Sequence, residues 1–402
     1  MTTATDNAPI IDLTVIDGRG GVFYALLAGL AMVIAGGMWA AHVMGTQGHY
    51  VTGMNNQIVW GIPHVFAVFL IVCASGALNV ASLSSVMGQK IYAPYARLSG
   101  LLAIALLSGG LAIITLDLGR PDRLMVALTH FNMASVFAWN VFFYTGFLLL
   151  AALYLWTLMD RSMNRLTKPV AGVLLAWRLT LTTFTGLIFG VLVARQAYDT
   201  IIMAPLFIAM SLSFGSAAYT LLLLTACSWS GRPLDDAVVR ALGRMMTLCI
   251  IVVLCFVALF HGVKLVAVGS EGVEAFLLLD GGVFPFLFWA GQIGAGSLLP
   301  VALLMWRPGA AARVRTACAA GLVLFGGLVQ VYVIVIGAQA FPLDIFPGKQ
   351  IIESSFYDGV ITRYQPGLLE FMLAFGGVAM ALLIVVLSMK ILPFLPRARA
   401  RD

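Results

Sequence analysis

Charge is what this sequence has least of. Only 10% of its 402 residues are Asp, Glu, Lys or Arg, and 61% are hydrophobic. A soluble domain carries about 25% charged and about 45–50% apolar residues, so a water-soluble fold of this length is excluded. The mean hydropathy of +1.00 agrees. Cysteine is scarce too. All five (Cys73, Cys227, Cys249, Cys255 and Cys318) lie inside apolar runs and none forms a CxxC pair, which argues against a disulfide scaffold or an iron–sulfur cradle. The polar–apolar alternation of a membrane β-barrel is missing as well. Residues 1–21 carry Asp6, Asp12 and Asp17 where a signal peptide would be basic, so the first apolar run is expected to stay as a helix.

What is present is a series of continuous apolar runs, each able to cross a hydrocarbon core of about 30 Å. Ten spans are expected, near 22–44, 58–86, 93–118, 134–159, 170–197, 203–228, 237–267, 278–306, 311–338 and 367–392. Lipid offers the backbone no hydrogen bonds, so these are helices, and the chain is expected to be one all-α polytopic membrane domain over 1–402. With both termini on one side, seventeen basic residues, Arg178 among them, fall on that side. Six fall on the other: Arg120, Arg123, Arg195, Lys264, Lys349 and Arg363. The positive-inside rule then places both termini in the cytoplasm. The net charge of +6 reads as membrane anchoring and gives no reason to invoke nucleic acid. The longest outer loop, 339–366, either docks a partner or caps helix ends.

The ionisable groups are unevenly placed. All five histidines (His42, His49, His64, His130 and His261) fall on the outer side, as do Asp117, Asp122, Asp199, Asp280 and Glu370. Ionisable residues in or near spans are costly and read as functional by default. His64 follows Trp60-Gly61-Ile62-Pro63 and could hydrogen-bond a quinone carbonyl and pass a proton; the alternative is an interfacial histidine bonded by backbone. His42 and His49 read as interfacial, and Lys264 as a residue snorkelling to the interface. A b-type haem would need two histidines in facing spans, and no such pairing recurs. Polar residues within the membrane are Ser75, Asn79, Ser82, Asn140 and the threonines Thr180, Thr182, Thr183 and Thr185. Asn79 with Ser75 and Ser82 could form a transporter-like midplane patch, or simply let helices pack closely.

The sharpest local signal is Asp117-Leu118-Gly119-Arg120-Pro121-Asp122-Arg123, four charges in seven residues on the sparsely basic side. Gly119 and Pro121 end the helix. Arg120 can pair with Asp117 or Asp122. An ion-paired helix stop explains one such pair and leaves the other charges for function.

This turn, followed by Ser135-Val136-Phe137-Ala138-Trp139-Asn140 at the start of the next span, resembles the NrfD/PsrC family of quinone-interacting membrane subunits. That family shows a GRP-x-R turn and then Ser-x-x-x-Trp. The match holds at Gly119, Arg120, Pro121, Arg123, Ser135 and Trp139, with Asn140 where many relatives have glycine. The ten-span length is most similar to the DsrP type, from a sulfite-reductase-associated transmembrane complex, and to the ten-span subunits of alternative complex III. The resemblance implies two four-helix bundles, spans 2–5 (58–197) and 6–9 (203–338), flanked by spans 1 and 10. It also implies menaquinone or ubiquinone bound near the periplasmic face of a bacterial inner membrane. A periplasmic ferredoxin-like iron–sulfur subunit would exchange electrons there in sulfur-compound metabolism, with cytochrome c and haem b membrane subunits as further partners. No iron–sulfur cluster or haem is expected in this chain.

The expected site assigns His64 and Asp117 to proton exchange and Arg120 to holding Asp117. Trp60, Trp139 and Tyr144 shape the ring slot. Asn140, Ser135, Asp122, Arg123, Tyr198, Asp199 and His261 complete the candidate set. The competing readings are a secondary transporter and a pure membrane anchor for a periplasmic enzyme.

Overall fold

The computed structural model describes residues 13–16, 18–232, 234–267, 269–306, 309, 311–343 and 360–396. Among the described residues, ten helices are long and apolar enough to cross a membrane: α1 (Gly21–Gln47), α2 (Ile62–Ser85), α3 (Lys90–Asp117), α4 (Val136–Met159), α5 (Arg161–Gly190), α6 (Met203–Trp229), α7 (Asp236–Val266), α8 (Val283–Met305), α9 (Ala312–Ala340) and α10 (Leu368–Ile391). The chain is an all-α, multi-pass integral membrane protein. Most of the loop read as either docking a partner or capping helix ends, residues 344–359, lies outside the described residues.

Helix α2 is the hub. It packs on α3 and α6 and also meets α5, α9 and α10, while α1 lies against α10. Successive helices α3–α4, α4–α5, α5–α6, α6–α7 and α8–α9 pack together, and α9 returns to α6. The crossing of α2 and α6 is made by two glycines. A Cβ on Gly76 would stand 1.6 Å from the Ser211 carbonyl oxygen, and one on Gly215 would stand 2.1 Å from the Gly76 carbonyl carbon. With no hydrophobic drive between helices in lipid, such close backbone approach is a main source of packing energy.

Close to that crossing α2 breaks, Ile62–Ala77 giving way at Leu78 to Asn79–Ser85. A break inside lipid frees carbonyls that must find donors. Arg178 of α5 supplies one, donating to the Ser75 carbonyl at 2.6 Å and to Asn79 Oδ1 at 2.9 Å. Ser99 donates to the Ala77 carbonyl at 2.6 Å. Asn79 in turn donates to Ser216 Oγ at 2.8 Å. Arg178, counted from sequence among the basic residues of one side, is 3% exposed and bonded inside the helix bundle. The Ser75–Asn79 patch is its cradle.

A second difference concerns α5. The helix begins at Arg161 and stops at Gly190 instead of running over 170–197. The chain folds back against Gly190, where a Cβ would meet the Thr200 carbonyl at 2.7 Å, and passes Asp199 at a left-handed φ of 35°. Tyr198 and Asp199 are therefore loop residues. Lys264 does not snorkel to water. It is 4% exposed and donates to the carbonyls of Gln196 and Asp199 at 2.8 and 3.3 Å.

The α2–α6 crossing can be tested directly. Gly76→Ala is expected to destabilise the purified protein by about 1–3 kcal/mol or more, the usual cost of overpacking. Gly172→Ala, where a Cβ meets nothing within 4 Å, is expected to leave the thermal midpoint unchanged.

Candidate functional site

Helices that alternate in direction bring the end of α1, the start of α2, the end of α3 and the end of α7 to one face. His42, His49, His64, His130 and His261 all lie at these positions, which makes this end of the molecule a histidine face.

At its centre is Asp117, the last residue of α3 and 5% exposed. Its carboxylate is gripped from two sides. His64 Nδ1 approaches Oδ2 at 2.9 Å, a close contact off the line of an ideal hydrogen bond. His49 Nε2 lies 3.5 Å from Oδ1 and 2.9 Å from the Asp117 carbonyl oxygen. Both imidazoles stay partly accessible, His49 at 32% and His64 at 28%. Contact with the carboxylate raises the His49 pKa above its ordinary 6.5 and outweighs the opposing effect of burial. His49, read from sequence as merely interfacial, is thus part of the site. Arg120 is not attached to Asp117: it makes a bidentate pair with Asp122 at 3.0 and 2.9 Å, with both side chains at least 60% exposed. Arg120 was expected to hold Asp117; two histidines from other elements stand there instead. Arg123 is exposed beside that pair.

The segment entering α2 is irregular, and buried or half-buried polar groups from distant parts of the chain fix it. Gln339 of α9, 1% exposed, accepts from the amides of Val59 and Trp60 at 3.0 Å and donates back to the Trp60 carbonyl at 3.0 Å. Arg195 donates to the Gln57 carbonyl at 2.6 Å. Glu370, fully buried in the first turn of α10, accepts from Gly53 N at 2.9 Å and from the Tyr364 hydroxyl, which itself accepts from Ile62 N at 2.8 Å. Burial, then the charge of Glu370, pushes the Tyr364 hydroxyl far above its ordinary range. Trp60 is thereby set against His64, rings stacked at 6.3 Å and 28°. Phe137 and Phe189 flank the indole at 6.3 and 5.7 Å.

The α4 residues have different partners. Ser135 caps α4 by accepting from Ala138 N at 3.3 Å. Trp139 donates to the Met133 carbonyl at 3.0 Å and stacks on Phe143 at 5.9 Å. Asn140, 2% exposed, donates to the Phe184 carbonyl at 3.1 Å and accepts from Thr185 at 3.2 Å. Tyr144 is buried in the same core. Asn140 thus pins α4 to α5, and Phe137 brings α4 to Trp60.

A second histidine–carboxylate pair stands apart. His261 Nδ1 meets Glu274 Oε2 at 2.7 Å; Glu274 is fully buried and its Oε1 has no partner. His261 lines a small cavity of about 30 Å³ with Tyr198, Gln292 and Gln330, which has room for a water or two. Tyr198 donates to the Val335 carbonyl at 3.2 Å and packs on Phe189 at 5.2 Å. An aromatic series Trp60–Phe189–Tyr198 therefore joins the two pairs. The cavity lies beside unusually wide helical turns at Leu287–Leu298 and Val333–Gly337, a distortion frequent at functional sites. Among the described residues, no group of three or more His, Cys, Asp or Glu side chains converges as a metal ion requires.

The fold and site define a ten-span membrane protein with a buried acid held by two histidines at one face. The chain belongs to the polysulphide reductase NrfD family, whose model matches residues 50–343. It is 27% identical to the Hdr-like menaquinol oxidoreductase integral membrane subunit of Archaeoglobus fulgidus, covering 98% of both sequences. It is 23% identical to a selenate reductase subunit of Mesobacillus selenatarsenatis, over 92% of this sequence and 94% of the relative. To a polysulfide reductase chain of Wolinella succinogenes it is 24% identical, over 62% of this sequence and 83% of the relative.

The histidine clasp makes a pH prediction. The His49 pKa is raised on folding, so its contribution to stability is fully present below about 6.5 and is lost as pH rises through the folded value. The thermal midpoint of wild type minus that of His49→Gln is expected to be largest near pH 6 and to shrink steadily toward pH 9. A gap that grows with pH would be the wrong sign.

Proposed function

We propose that this chain is the quinone-reactive membrane subunit of a multi-subunit oxidoreductase, and that quinol or quinone reacts at His64. One observation carries the reading: a buried carboxylate clasped by two partly accessible imidazoles, one of them under an indole ring. His64 turns Nδ1 to Asp117, which leaves Nε2 for a substrate hydroxyl or carbonyl. A carboxylate held against a histidine stabilises its protonated form. Trp60 and Phe137 offer an apolar wall beside it, as a quinone ring requires.

In the oxidising direction, a quinol gives up two protons with its two electrons. His64 takes the two protons in turn at Nε2, pairing as imidazolium with Asp117 and releasing the first toward water before it accepts the second. His49, on the other side of the same carboxylate and 32% exposed, gives the charge a route toward water. The electrons pass to a partner subunit docked at the histidine face, which we take to be periplasmic and iron–sulfur in type. The Archaeoglobus relative, named as a menaquinol oxidoreductase subunit, favours menaquinol as substrate. The polysulfide reductase relative favours a sulfur-linked partner. With the histidine face outside, both termini lie in the cytoplasm, and quinol oxidation releases its protons outside. Arg120 and Asp122 lie at the mouth of the site and serve partner docking.

The test titrates a menaquinol analogue against the purified complex by fluorescence quenching. Asp117→Asn and His64→Gln are each expected to weaken binding at least tenfold and to abolish quinol-linked electron transfer. Arg120→Gln is expected to stay within about threefold of wild type in analogue binding, since one exposed ion pair contributes about 0–1 kcal/mol. Unchanged binding in both His64→Gln and Asp117→Asn overturns the proposal.

A further inference from the structure

The face opposite the histidines carries a different kind of site. A groove of about 1120 Å³ opens between the start of α7, the end of α8 and the start of α9. Its polar end is lined by Arg240, Arg244, Arg313 and Arg315 against a single acid, Asp236. Asp236, Arg240 and Arg244 recur at four-residue intervals and so share one face of α7. Arg313 donates to Asp236 at 2.9 Å and to the Leu234 carbonyl at 2.7 Å. Arg240 and Arg244 are exposed and make no ion pair with a described residue. Further along the same face of α7 the lining turns apolar, with Leu248 at 64% and Ile251 at 45% exposure facing Leu303 and Leu304 of α8. Trp306, 70% exposed, stands at the edge.

We propose that this groove binds an anionic phospholipid, with its phosphate on Arg240 and Arg244 and an acyl tail along Leu248 and Ile251. The dimensions fit. From Arg240 to Ile251 is eleven residues, roughly 16 Å of helix, which is about half of a ~30 Å hydrocarbon core and so one leaflet deep. Charge gives the sign of the headgroup, since basic clefts between transmembrane helices select anionic lipids. The apolar wall requires a tail, which inorganic phosphate lacks. A tryptophan at the junction of the two zones matches the interfacial preference of indoles. Segment 397–401 of the chain does not suit the groove, because it carries Arg397, Arg399 and Arg401.

The experiment uses the full-length protein in mild detergent, titrated with brominated phosphatidylglycerol or brominated phosphatidylcholine while Trp306 emission is read as the difference between wild type and Trp306→Phe. Phosphatidylglycerol is expected to quench the Trp306 signal at least tenfold more tightly than phosphatidylcholine. Arg240→Gln with Arg244→Gln is expected to weaken it on the order of 30-fold, two charges' worth at a membrane surface, and to remove the preference. Sodium phosphate at matched ionic strength is not expected to compete. If the double variant does not fold, competition by unbrominated phosphatidylglycerol against unbrominated phosphatidylcholine on wild type decides the same question. Equal quenching by both lipids, displacement by free phosphate, or loss of the lipid when an acidic partner subunit is bound overturns the proposal. None of these outcomes depends on the quinone reading.

Discussion

A carboxylate at the end of a transmembrane helix, almost wholly withdrawn from water, demands charge partners close by; an uncompensated buried charge costs about 3–5 kcal/mol. Asp117 meets that demand with two histidines from different parts of the sequence. One comes from the turn after α1 and the other from the first turn of α2. Much of the histidine face follows from this. The α1–α2 connection must return over the end of α3 to deliver His49, and the entry to α2 must be held still enough to keep His64 within 2.9 Å.

That second requirement explains the buried and half-buried polar groups gathered from afar. Gln339, Arg195, Tyr364 and Glu370 have little in common in sequence, yet all bond the stretch between Gly53 and Ile62. An irregular segment at a membrane boundary survives only where its amides and carbonyls find partners. The same logic acts near the α2–α6 crossing, where the broken α2 is capped by Arg178. That cation rests on the helix break, so the polar patch around Asn79 supports helix packing.

The ten spans were legible in the sequence because hydropathy and length are local properties. Their limits agree to within a few residues except in α5, where only the tertiary return of the backbone onto Gly190 ends the helix. His64 and Asp117 were visible as ionisable groups at one end of the molecule. Their mutual contact, and the part taken by His49, were not, since 68 residues separate His49 from Asp117 and nothing local marks the pairing. Arg120 misled for the opposite reason. Both Asp117 and Asp122 lay within reach in sequence and Arg120 was assigned to the first, but Gly119 and Pro121 turn the backbone outward and leave it to Asp122. Arg178 could have been flagged as a charge deep within its apolar run, where a basic residue needs a bonded cradle.

The central claim is that quinone reacts against His64 beneath Trp60. The most direct measurement is photo-crosslinking of an azido-menaquinone analogue to the membrane-embedded complex, followed by peptide mapping. The account predicts label within Trp60–His64 or on the facing turn of α4 around Phe137, with loss of label when excess quinol is present. Label confined to residues 203–340, with none on these segments, would contradict it.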